Sequence, residues 1–135
     1  MSNLIRRDDT TVRIDGNQTF EAFGNFLEAL LKKWKLRLKK YKGSWSWWPP
    51  RPEQGGQSLW KLMFYGEGDI FVGIRREFIE MNGIAADVEK LVTHEFVVQP
   101  NTDNASFLGF PVVDDALSKE NVRKILTLIP EKPRY

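Results

Sequence analysis

Apolar positions along the chain keep two different rhythms. From Phe20 they recur at three- and four-residue steps, through Phe23, Leu27, Leu30, Leu31 and Trp34. That is the spacing of one helix face, and it predicts an amphipathic helix packed on something flat. Thr19 is placed to cap it, with a hydroxyl that can accept from a first-turn amide. Residues 1–18 are polar and partly irregular, with Thr11–Ile14 as a short first strand ending at Asp15-Gly16-Asn17.

Beyond Trp34 the rhythm becomes ambiguous. Trp34, Leu36 and Leu38 alternate with Lys35, Arg37 and Lys39, the period of a half-buried strand. Leu27, Leu31, Trp34, Leu38 and Tyr41 also fit a continued helix. Leu36 would fall on the charged side of that helix, which favours a strand from about Lys35 to Trp48, bent at Gly43. Residues 49–57 form a Pro/Gly-rich loop. SLWKLMFY and IFVGIR then flank Gly66-Glu67-Gly68-Asp69, the pattern of an antiparallel hairpin.

Arg76–Met81 starts a helix that breaks at Asn82-Gly83, and Ile84–Thr93 forms another. Phe96–Gln99 is a strand, Pro100–Ala105 a loop and Phe107–Val113 a short extended segment. Ser118 can cap a last helix with Val122, Ile125, Leu126 and Ile129 on one face, stopped by Pro130. The expected class is α+β: a mostly antiparallel sheet of about four or five strands, with an N-terminal and a C-terminal helix packed on it. A length of 135 residues suits a single domain spanning 1–135.

Charge changes this picture more than composition does. The net charge is only +2, from 20 basic and 18 acidic residues. Yet between Glu28 and Glu53 there is no acid, and Lys32, Lys33, Lys35, Arg37, Lys39, Lys40, Lys42 and Arg51 share that stretch with Trp34, Trp45, Trp47 and Trp48. Setting those eight cations aside leaves twelve against the 18 acids, a balance near −6. One strongly cationic surface on an acidic body, interleaved with aromatics, suits an anionic polymer whose units can stack.

The expected contact set is Lys33, Lys35, Arg37, Lys39, Lys40, Tyr41, Lys42, Trp45, Trp47, Trp48 and Arg51. Its lysines would hold phosphates and its aromatic rings would stack on unpaired bases, so a single-stranded nucleic acid is favoured, with little sequence preference. In the other direction, the lysines are a solvated face that protects a sheet edge, and Trp34 and Trp60 are core. Trp47 and Trp48 must diverge on an extended strand, which leaves at least one for the surface or for a small core under the proline loop. The same patch also fits an acidic protein partner, as an inhibitor, immunity or adaptor module would.

Other chemistry is weaker. His94, the one histidine, lacks any triad or elbow spacing and reads as a helix-terminal residue. Asp8-Asp9, Glu67/Asp69, Glu77/Glu80 and Asp114-Asp115 are carboxylate pairs, and Asp103, Asp114, Asp115 and Lys119 could converge as a metal-dependent nuclease requires. Turn and capping roles explain them as well. No catalytic residue, metal or cofactor is expected. The chain has no cysteine, which excludes disulfides and thiolate metal sites. Without a 20-residue apolar run or a signal-peptide core, no membrane contact and a cytoplasmic location are expected.

Overall fold

The computed structural model of the chain describes residues 11–51, 57–66, 68–98 and 105–135. Helix α1 runs over Thr11–Leu31 and ends in a 3-10 turn, Lys32–Trp34. Phe20, Phe23, Leu27, Leu31 and Trp34 are all buried, as the helical spacing predicts. The stretch Thr11–Ile14 is not a strand, and Thr19 lies inside α1 instead of capping it. Local polarity misled there, because the helix continues two turns beyond its apolar stripe.

The helix-or-strand ambiguity after Trp34 resolves at Lys35, whose φ of 59° puts it in the left-handed region. Such a residue ends a helix and turns the chain. Strand β1 (Arg37–Tyr41) follows, then β2 (Ser44–Trp48). The expected single bent strand is therefore a hairpin, closed by Tyr41↔Ser44 around Lys42-Gly43. Gly43 has φ +74°, which glycine adopts without the Cβ penalty that other residues meet.

Four more strands complete the sheet: β3 (Trp60–Tyr65), β4 (Asp69–Arg75), β5 (His94–Val98) and β6 (Ala105–Pro111). All pairs are antiparallel, in the order β1-β2-β3-β4-β6-β5. The class is α+β, with six strands where four or five were expected; splitting Lys35–Trp48 into two adds to the count. The β3–β4 hairpin is placed as its turn residues predict, although Glu67 lies outside the described residues. So do residues 52–56 of the proline loop, Gln99–Asn104, and residues 1–10 with Asp8-Asp9.

Helices α2 (Arg76–Met81) and α3 (Ala85–Glu89) lie between β4 and β5. The second is shorter than the predicted Ile84–Thr93, because His94 already belongs to β5. Helix α4 (Asp115–Leu128) is capped by Asp114, whose Oδ1 accepts from the Leu117 amide at 3.0 Å. Ser118, the expected cap, is a buried residue within the helix.

Residues paired across the sheet share a face. On one face Trp45, Trp47, Trp60, Leu62, Val72, Ile74 and Leu108 join buried residues of α1 and α4 in the main core. Gly24 of α1 lets the Trp45 ring lie directly against the helix backbone, and Phe20 meets that ring edge-on at 5.7 Å. Phe71, Ala105 and Phe107 on the other face form a separate, smaller cluster that contains no helix residue. Among the described residues, the helices pack on one side of the sheet only.

Candidate nucleic-acid interface

The uncovered face carries the side chains that alternate away from that core. Register places Arg37, Lys39 and Tyr41 of β1 there, beside Trp48, Ser46 and Ser44 of β2. Lys61 and Met63 of β3 come next, opposite Ser46 and Ser44, with Tyr65 following along the strand. Arg75 of β4 pairs with Phe107 of β6, which in turn faces Phe96 of β5. Cations thus cross the sheet from its β1 edge to its centre, with aromatic rings on both sides.

These cations have few acidic neighbours. The Lys39 Nζ sits 4.3 Å above the Trp48 ring, and the Arg37 Nε donates to the Pro49 carbonyl at 2.7 Å. The Lys61 Nζ donates to the Ser46 hydroxyl at 2.9 Å. Burial, and after it the positive field of Arg75, pushes the Lys61 ammonium below its ordinary 10.5. Tyr41 stands 64% exposed at the edge, free to present its ring. Trp48 and Tyr65 are half-buried, and burial, with Asp69 adding to it, raises the Tyr65 phenol above 10.0, so it stays a neutral donor.

The expected contact set divides. Arg37, Lys39, Tyr41 and Trp48 share the open face. Lys42 is exposed at the hairpin tip; Lys33 and Lys35 lie at the α1–β1 junction, with the Lys33 ammonium 5.1 Å from the Trp34 ring; Arg51 follows β2 on the surface. Lys40 points to the helix side and rides 4.3 Å over the Trp45 ring. Trp45 and Trp47 leave the set for a physical reason: both are core, Trp47 fully so, with its indole Nε1 donating to Glu28 Oε1 at 2.9 Å. Rings packed in that way have no face left for a base.

Two cations were missed from the sequence, Lys61 and Arg75, along with the hydroxyls of Ser44 and Ser46. Lys61 could have been found, since a lysine between Trp60 and Leu62 must face away from the core they share. Arg75 could not, because nothing local distinguishes it from the end of an apolar strand.

Asp114 is a helix cap, and Asp115 pairs with Lys119 at 3.0 Å within one turn. Asp103 lies outside the described residues. His94 is exposed at the start of β5, not at a helix end, and its Nδ1 lies 2.7 Å from the Thr93 hydroxyl. Among the described residues no three His, Asp or Glu side chains gather as a metal cage would require, and no helix is long and apolar enough to cross a membrane. No protein-family model matches the chain, and no curated protein or solved structure matches it either.

Proposed function

We propose that the chain binds single-stranded nucleic acid along the open sheet face, with little sequence preference. The observation that carries this reading is the shared face: Arg37, Lys39 and Lys61 line up with Tyr41 and Trp48, and among the described residues the helices pack on the opposite side. Sheets of this kind bind splayed bases on aromatic rings while cations track the phosphates. Lys61 holds phosphate nearer the centre, and Lys39, Lys42 and Arg37 extend the path along the β1 edge. Tyr41 and the uncovered flank of Trp48 stack on bases.

Fluorescence anisotropy of a labelled single-stranded oligonucleotide tests this at low and at near-physiological salt. About four phosphate contacts give a log–log salt slope near −3 for a single strand. Tyr41→Ala is expected to weaken binding by about 1–3 kcal/mol, the usual worth of one stacked base. No binding at low salt would remove the reading. One observation favours a second one: β1 is an edge strand with Lys39, Lys40 and Tyr41 exposed, so an extended acidic segment of a protein could add to it. Binding of a poly-glutamate probe in place of the oligonucleotide would support that partner.

A further inference from the structure

The centre of the open face holds an electrostatic arrangement that the fold does not need. Lys61 and Arg75 both lie over the Phe107 ring, at 5.8 and 5.0 Å from its centroid. The Lys61 ammonium is bonded only to neutral hydroxyls, Ser46 Oγ at 2.9 Å and Ser44 Oγ at 3.5 Å. Among the described residues no carboxylate reaches it. The Arg75 side chain is 7% exposed; its Nε donates to the Ser58 carbonyl at 2.6 Å, and its one acidic contact, Glu77 at 3.4 Å, is 65% exposed. That contact is screened by water and neutralises little.

Two cations withdrawn from water onto one aromatic ring, with the nearest acid in solvent, cost the fold free energy. Methionine or leucine at position 61 would fill the same strand position without that cost. Ser46 is itself buried and accepts from Lys61, which leaves its own O–H to donate. The Lys61 ammonium and the two serine hydroxyls therefore gather on one face with no carboxylate at the ammonium, and the Arg75 guanidinium adds positive charge over the same Phe107 ring.

We propose that Lys61, Ser46 and Ser44 form a phosphate cradle, with the charge of Arg75 nearby, the one fixed subsite on an otherwise sequence-tolerant face. Phosphate suits it because several acceptor oxygens on one anion can take donors from two adjacent strands at once. The inference rests on the sheet-face reading for the source of the phosphate, a nucleic-acid strand, and the geometry alone would serve free phosphate equally. The lowered proton affinity of Lys61 agrees with a positive site that lacks its anion.

The test uses inorganic phosphate first, in a thermal-shift titration against chloride at matched ionic strength. Phosphate is expected to raise the melting temperature of the wild type and of Lys61→Arg, and to leave Lys61→Met unmoved. Lys61→Met should itself melt higher than the wild type without phosphate, so loss of response is not loss of fold. Ser46→Ala should weaken the response. With the labelled oligonucleotide, Lys61→Met is expected to lose roughly tenfold or more in affinity, as for a charged hydrogen bond. Equal phosphate responses in wild type and Lys61→Met would overturn the cradle. Equal oligonucleotide binding by the two would overturn it as well, while leaving the sheet-face reading intact. A Lys61-dependent phosphate response without oligonucleotide binding would establish the cradle and remove the nucleic-acid reading.

Discussion

The three tryptophans of Ser44–Trp48 show how strand parity decides a residue's task. Trp45 and Trp47 point to the helices and Trp48 points away, so one run supplies both core and surface. Trp47→Ala is expected to cost about 3–5 kcal/mol, since it empties a fully buried site and strands Glu28. Trp48→Ala should cost clearly less, and denaturant titration of the two variants separates them. Gly24→Ala raises helix propensity, yet the added methyl would overlap the Trp45 ring, so a net loss of about 1–3 kcal/mol is expected on the same measurement. Lys61 works in the opposite sense. Its folded pKa is lowered, so the unfolded chain holds more protons between that value and 10.5, and stability rises with pH across that window. Below the window the cost is present in full. Lys61→Met should remove both the cost and the slope, which melting curves taken as a pH series will show. The divergence of Trp47 and Trp48 was legible in the sequence; which side the helices would take was not, because that depends on where α1 lands.

At the level of elements, periodicity carried far where one face alone is buried. Phe20 to Leu31 and Val122 to Leu128 both read correctly as helices, although Ile129 is already extended, and the β3–β4 hairpin announced itself through its glycines. One misreading turns on a single backbone conformation. Lys35 takes a left-handed conformation that favours glycine, and this single residue converts an apparent continuous segment into helix, reversal and hairpin. Further along, Arg76 ties three elements together, meeting Glu80 at 3.7 Å, Glu89 at 3.1 Å and Glu95 at 3.1 Å. No motif reveals such a junction, because its acids come from α2, α3 and β5. The Arg76 hydrogen bonds, followed by one from Ser106, hold the Glu95 carboxyl below its ordinary 4.5. A depressed carboxylate stabilises above its unfolded value and loses that contribution as pH falls through the folded one. Arg76→Ala should therefore lower the melting temperature at pH 7 and approach the wild type in acid; a gap that persists at pH 2 would contradict the ion-pair account.

For the molecule as a whole, the described helices stand on one side of the sheet and Arg37, Lys39 and Lys61 on the other. On the proposed reading, that polarity orients an anionic strand before contact, so association rates should fall with salt more steeply than dissociation rates rise. The far end of the chain seals the opposite corner: the Trp34 Nε1 donates to the Pro130 carbonyl at 2.9 Å, and Asn82 bonds the Arg134 backbone from both sides. That seal dictates an order of events in time. The Trp47 indole finds its acceptor, Glu28 of α1, 19 residues away, whereas the Trp34 indole must wait for a partner 96 residues along. Closing the longer loop costs more entropy and comes only after the sheet gives α4 a surface to dock on. During refolding under pulsed hydrogen exchange, the Trp47 indole proton should become protected first and the Trp34 indole proton last, and a chain emerging from synthesis would keep Trp34 wet until Pro130 arrives.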